Sequence, residues 1–175
     1  QRYTALADEG RGAALLNDCK YGISMHDNDL RLTLLRGATC PEMVADQGEH
    51  TFTYSFTAWE GSFLDAPVVH EAYSLNVPPQ VITGQVADFS AFELDSFNVF
   101  IDTVKPARDQ SGDLILRLYE AKRADTDCVL AINVPARSVH LCDMLENAQE
   151  ELPMEQGCVK LHFGTFEVKT LRIKR

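Results

Sequence analysis

Long apolar runs are missing from this sequence. No stretch approaches the ~20 consecutive apolar residues of a bilayer-spanning helix, so no such helix is expected. Cysteine is sparse and odd in number: Cys19, Cys40, Cys128, Cys142 and Cys158, with no C-x-x-C pair and no metal-ligand spacing. That argues against a disulfide framework or a zinc finger, and for reduced, mostly buried thiols in a cytoplasmic protein. Bases are outnumbered, with 16 Lys and Arg against 26 Asp and Glu and a formal net charge of −10. Such a chain repels a phosphate backbone or an anionic lipid surface, so neither nucleic acid nor membrane is an expected partner. Nucleotide and nucleophile signatures are absent: there is no P-loop, no G-x-G-x-x-G and no G-x-S-x-G. The first residues are polar and include Asp8, Glu9 and Arg11, unlike a secretory signal. The sequence opens on Gln1 rather than Met, and is expected to be a piece of a longer chain.

What is present is a hydrophobic period of two. Leu30, Leu32 and Leu34 alternate with Arg31 and Thr33; Leu114, Leu116 and Leu118 with Arg117; Leu130, Ile132 and Val134 with Asn133; Val159, Leu161 and Phe163 with Lys160 and His162. Gly, Pro, Asn or Asp bounds each run. The expected fold class is all-β, a sandwich or barrel-like arrangement. Asp109 to Asp113 reads as a hairpin turn with Gly112 at positive φ. A parity change between Phe166/Val168 and Leu171/Ile173 predicts a bulge near Lys169-Thr170. Val68 to Leu75 reads as one or two helical turns, and Asp143 to Glu151 as a short helix or turn stopped by Pro153. Pro78-Pro79 marks the domain boundary, at about residue 78.

Candidate chemistry is thin. His26-Asp27 sits beside a turn, where adjacent side chains need not converge. His50, His70, His140 and His162 stand apart, and none belongs to H-x-H, H-x-D or H-E-x-x-H. The carboxylate pairs Asp27/Asp29, Glu93/Asp95 and Asp125/Asp127 read as solvated turns rather than a glycosidase pair. Cys19, between Asp18 and Lys20, reads as a packing residue. Trp59, the single tryptophan, is expected in a loop, where an exposed indole stacks on a sugar face; a half-buried anchor is the alternative. From composition and spacing alone, no self-contained active site is expected.

Several ordered motifs carry a resemblance. Ala14-Leu15-Leu16-Asn17-Asp18-Cys19-Lys20-Tyr21-Gly22 is followed by Leu30-Arg31-Leu32-Thr33-Leu34-Leu35-Arg36, then Gly48-Glu49-His50-Thr51-Phe52-Thr53-Tyr54 and His70-Glu71-Ala72-Tyr73-Ser74-Leu75-Asn76. Val104-Lys105-Pro106-Ala107, Leu114-Ile115-Leu116-Arg117-Leu118-Tyr119-Glu120 and Phe166-Glu167-Val168-Lys169-Thr170-Leu171 complete the set. In this order they resemble the C-terminal region of glycoside hydrolase family 38, the α-mannosidases, in the style of its bacterial and yeast-vacuolar branch. Two departures are Thr165 in place of a Pro, and Thr57-Ala58-Trp59 in place of a P-H.

The resemblance implies the end of a large β-supersandwich over residues 1–78, followed by a small antiparallel β-sandwich over 79–175. It implies a parent enzyme that is a retaining α-mannosidase with zinc and an aspartate nucleophile, both in an N-terminal catalytic domain. This region is then non-catalytic and binds no cofactor itself. Its partners are that N-terminal domain and, indirectly, the mannoside substrate. By the resemblance, Arg36 is the arginine delivered to the sugar cleft, and Asn17, Asp18, Lys20 and Tyr21 lie on the same rim. Lys105, Arg117, Glu120, Glu167 and Lys169 are read as structural, Arg117 pairing with a cross-strand acid. Strand partners outside the chain would leave unpaired edges, through which self-association is expected. The competing readings are a stand-alone carbohydrate-binding module, using Trp59 or Tyr21, and a purely structural sandwich.

Overall fold

Alternation along the chain becomes fourteen strands and one helix. A computed structural model describes all residues 1–175, which divide into two compact units, Gln1–Thr83 and Gly84–Arg175.

The first unit contains β1 (Tyr3–Asp8), β2 (Arg11–Asn17), β3 (Gly22–His26), β4 (Asp29–Thr33), β5 (Tyr54–Glu60) and α1 (Val68–Asn76). β1, β2 and β5 form an antiparallel sheet in the order β1-β2-β5, and β3 and β4 form a separate hairpin. Asp27 makes the hairpin turn at φ 52°, a left-handed conformation that Asp tolerates better than most residues. Two-residue periodicity puts Ala14 and Leu16 of β2 on the same face of the sheet. They pack with Trp59 of β5, with Ala66, and with Val68 and Ala72 of α1. Trp59 is therefore in a strand, not a loop, and is only 8% exposed. Pro67 precedes the helix, as suits a residue with no N–H to leave unpaired. The Asn76 amide closes the other end, donating to the carbonyls of Ala72 at 2.9 Å and Asn17 at 3.1 Å.

The second unit runs through β6 (Phe92–Leu94), β7 (Val99–Pro106), β8 (Leu114–Glu120), β9 (Thr126–Ile132), β10 (Ser138–Cys142), β11 (Ala148–Leu152), β12 (Met154–Glu155), β13 (Cys158–Phe163) and β14 (Val168–Lys174). One sheet has the order β11-β10-β14-β8-β7 and the other β12-β13-β9-β6. The first contributes Val99, Leu116, Leu118, Val139, Leu171 and Ile173 to the shared core; the second contributes Cys128, Leu130, Ile132, Val159, Leu161 and Phe163. Each fully buried aliphatic side chain here stabilises the fold by about 1.5–3 kcal/mol before entropic costs. The β7–β8 hairpin forms with Gly112 at φ 91°, as its turn residues predict.

Three further expectations are corrected by the strands and the thiols. Asp143 to Glu151 begins as a turn, with the Glu146 N–H donating to the Asp143 carbonyl at 3.0 Å, but residues 148–152 form edge strand β11 rather than a helix, because pairing with β10 overrides the helix propensity of Ala148-Gln149-Glu150-Glu151. β14 keeps an unbroken register with β8 and β10. Phe166 and Val168 are exposed, so their parity never had to match the core face. The register shifts lie instead at Ile101/Thr103 and Leu141/Cys142. Finally, Cys19 and Cys40 are exposed; Cys128 and Cys142 are the buried thiols.

Candidate functional site

The stretch after β2 leaves the sheet through a built turn. Asn17, 1% exposed, accepts the Lys20 N–H on its side-chain oxygen at 2.9 Å. Its amide nitrogen is buried without a partner. Asp18 anchors the segment before β5: the Thr53 N–H lies 3.0 Å from both carboxylate oxygens, and the Asp18 N–H donates to the Thr53 carbonyl at 3.2 Å. The Cys19 thiol and the Thr53 N–H hold the Asp18 carboxyl below its usual range, and the neighbouring carboxylate pushes the Cys19 thiol up. Asn17 and Asp18 thus shape the turn that presents Lys20 and Tyr21.

Lys20, Tyr21 and Arg36 do converge. All three border one open cavity of about 330 Å³, together with Cys19, Asp46 and His50. Tyr21 is 62% exposed, and the Lys20 ammonium lies 4.9 Å from the centre of the Phe52 ring. Such a cation over an aromatic face is worth about 0.5–1 kcal/mol when exposed. The Arg36 guanidinium makes no hydrogen bond or ion pair within the chain. The cavity therefore offers a free planar donor fork, an ammonium, a phenol and an imidazole. Those groups suit a ligand with several hydroxyls or a carboxylate.

Trp59 is not available to a sugar. Its ring packs 5.8 Å from Phe63 and covers Gly12, where a Cβ would come within 2.0 Å of the indole. Asp46 and His50 also line the cavity: His50 stands apart from the other histidines in sequence, and no sequence signal singles out Asp46. The Asp46 carboxylate accepts the Gly37 N–H at 2.8 Å and the Ala38 N–H at 3.4 Å, contacts across an aperiodic loop that no local pattern announces.

Elsewhere the polar groups are committed to structure. Asp29 holds Arg31, and Asp95 accepts the Val129 N–H at 2.7 Å. His26 and Asp27 lie 3.2 Å apart but are almost fully solvated. Register brings His162 opposite Asp127 at 2.9 Å, a pairing invisible in sequence spacing, and both are exposed. Arg117 donates to the Met144 carbonyl at 3.0 Å rather than to a cross-strand acid. Lys105 pairs with Glu146, and Lys169 with Glu167. Nowhere are three or more His, Cys, Asp or Glu side chains grouped so as to hold a metal ion. A larger cavity, about 790 Å³, lies on the second unit beside Val129, Pro153, Glu155, Gln156, Cys158 and Lys160. No helix is long and apolar enough to cross a membrane.

Comparison with known proteins gives these observations a family. Residues 1–43 match the glycosyl hydrolases family 38 C-terminal domain, and residues 98–171 match the family 38 C-terminal beta sandwich domain. Human alpha-mannosidase 2C1 is 41% identical over 178 residues, covering 97% of this chain and 17% of the relative. Alpha-mannosidase G of Dictyostelium discoideum is 30% identical over 181 residues, covering 98% of this chain and 17% of the relative. The crystal structure of an alpha-mannosidase from Enterococcus faecalis V583 superimposes with a TM-score of 0.76 at 19% identity, across 99% of this chain and 21% of that one, which shows a shared fold. The chain thus spans about a sixth of the length of these curated relatives. Two matched segments of one family, in order and spanning most of both units, lead to one conclusion: the chain belongs to the C-terminal region of glycosyl hydrolase family 38.

Proposed function

We propose that this chain is the non-catalytic C-terminal β region of an α-mannosidase, and that Lys20, Tyr21 and Arg36 form part of the wall of its mannoside cleft. Residues 1–78 are the last strands of the parent's central β-sandwich, and residues 79–175 are its terminal sandwich. The partner is the N-terminal catalytic domain of the same parent chain, which supplies the groups that break the glycosidic bond. The observation that carries this reading is the unpaired Arg36 guanidinium, bordering the same cavity as Lys20 and Tyr21 in a chain of this family.

Arg36 suits a positioning task. Its planar fork can hold two neighbouring hydroxyls or orient a carboxylate. Tyr21 adds a hydroxyl that donates and accepts, on a ring that can lie against the apolar side of a sugar. Asn17 and Asp18 act behind them, by fixing the turn.

The resemblance implies zinc in the parent enzyme. The residues of this chain do not fit that ion, since they gather no set of three suitable ligands. His162 and Asp127, 2.9 Å apart on adjacent strands, are solvent-exposed and have no third ligand. No step assigned to this chain passes through a metal.

A cytoplasmic setting fits the five free thiols, which a reducing compartment preserves. Edge strand β5 exposes Tyr54 and Phe56, and these would meet the rest of the parent chain or, in its absence, a second copy of this one. The stand-alone sugar-binding reading loses Trp59 to burial and keeps Tyr21 as its one exposed candidate ring.

Steady-state hydrolysis of p-nitrophenyl α-mannoside by the full-length parent tests the assignment. Arg36→Ala should lower kcat/KM by roughly 10- to 100-fold, the loss of a charge-assisted hydrogen bond of about 1.5–3 kcal/mol. Unchanged kinetics would remove Arg36 from the cleft.

A further inference from the structure

We infer that Asp46 is a positioning residue for Arg36: its carboxylate ties down the backbone immediately after Arg36 and so fixes the direction from which the guanidinium enters the cavity. The inference rests on the reading of Arg36 given above, and names a residue that neither the motifs nor the family resemblance singled out.

Arg36 needs such an anchor. Strand β4 ends at Thr33 and β5 begins at Tyr54, so residues 34–53 lie outside any ladder. Loops longer than about 12–15 residues without secondary structure are uncommon, and an ordered one needs internal ties. Here the chain turns sharply after Arg36, with Gly37 at φ 64°, a conformation that glycine adopts at no steric cost. That turn leaves the N–H groups of Gly37 and Ala38 side by side. One oxygen of Asp46 receives both, at 2.8 and 3.4 Å, from nine and eight residues away.

Three further observations separate this from an ordinary surface aspartate. Asp46 is half-buried while its neighbours from Leu35 to Thr51 are exposed. Its own carbonyl lies 3.0 Å from Nε2 of His50, and Gln47 N–H closes on Val44 at 3.0 Å, so the anchor is itself braced. Asp46 and His50 border the cavity shared by Lys20, Tyr21 and Arg36. The backbone N–H groups also hold the Asp46 carboxyl below its usual range, as expected of a carboxylate spent on backbone donors. Asp46 forms no ion pair with Arg36. Its charge steadies the loop and leaves the guanidinium free for a ligand.

The test is a double-mutant cycle in the full-length parent, with p-nitrophenyl α-mannoside kinetics and melting temperature read together. Asp46→Ala should lower kcat/KM by between about 10- and 100-fold, most of it in kcat, because a misplaced group loses orientation before it loses binding. Asp46→Asn should recover most of that loss, since an amide oxygen can accept the same two N–H groups. Adding Asp46→Ala to Arg36→Ala should cost nothing more. Should Asp46→Ala fail to fold, Asp46→Ser, whose hydroxyl is one bond too short to reach both N–H groups, is read in the same way. Wild-type kinetics for Asp46→Ala beside a slow Arg36→Ala, or losses that simply add, would overturn the inference alone. Wild-type kinetics for Arg36→Ala would overturn both the inference and the reading beneath it.

Discussion

The carboxylate of Glu120 accepts the backbone N–H of Phe166 at 2.9 Å, across 46 residues of sequence. Glu120 is 1% exposed, and it also accepts from Asn98 Nδ2 at 2.9 Å, Lys122 N at 2.7 Å and Arg123 N at 2.9 Å. Burial raises its carboxyl pKa, and these donors outweigh the burial and leave it lowered. One side chain therefore ties the ends of three connections in the terminal sandwich. Glu120→Gln turns an acceptor into a donor facing N–H groups that are already there. It should destabilise the unit by about 3 kcal/mol, since buried donors left unpaired cost about 1–3 kcal/mol each. Urea unfolding of the 175-residue chain measures this; a change within about 0.5 kcal/mol, the ordinary surface range, would show that other contacts hold these loops.

Gly12 and Trp59 form a second such pair, directly opposite in the β2–β5 register. A Cβ on residue 12 would sit 2.0 Å from Cζ2 of the indole. Gly12→Ala should cost about 1–3 kcal/mol, the usual penalty for overpacking a filled core. The tryptophan reports on its own site, being the only one in the chain. Its emission should be blue-shifted, resist iodide quenching and stay constant on addition of mannose oligomers. Quenching by the sugar would return Trp59 to the list of binding residues.

Acid should weaken the terminal sandwich in a defined window. Arg172 donates to Asp113 at 2.7 Å, and to Asp109 at 2.7 Å and Ser111 at 2.9 Å from a second nitrogen. Hydrogen bonds from Ser111 and then Arg172 lower the Asp109 pKa from 3.8 to about 2. Burial raises that of Asp113, and Arg172, the Arg175 N–H and Ser111 together more than reverse it. Carboxylates depressed in the folded state stabilise it fully above their unfolded pKa, and that contribution is lost as pH falls through the folded value. Urea midpoints should therefore drop between about pH 4 and pH 2, and Arg172→Met should flatten that drop. An identical slope in the variant would assign the acid sensitivity to other groups.

Much of this architecture is legible in the sequence, for a local reason. The strands at 126–132 and 158–163 alternate because each has one face on a shared core, and period two survives in any such strand. The failures are tertiary. Ala148-Gln149-Glu150-Glu151 has helical propensity, but the segment closes a sheet edge, where exposed acids also discourage further pairing. Trp59 precedes Glu60-Gly61, which reads as a turn; only the pairing of Gly12 with Trp59 reveals the pocket that receives the ring.

The candidate site was legible only in part. Lys20, Tyr21 and Arg36 were linked by motif resemblance rather than by any periodic signal. Asp46 and His50 reach the cavity through a loop with no repeat to read. Likewise His162 and Asp127 meet through strand register, which spacing along the chain does not encode.

The central claim is that the groups that break a mannosidic bond lie outside these 175 residues. Its most direct test is the rate of p-nitrophenyl α-mannoside hydrolysis by the purified chain, beside the full-length parent at equal molarity and with added zinc. The account predicts turnover for the parent and none above buffer for the isolated chain. Hydrolysis that copurifies with the chain and survives a change of expression host would contradict it.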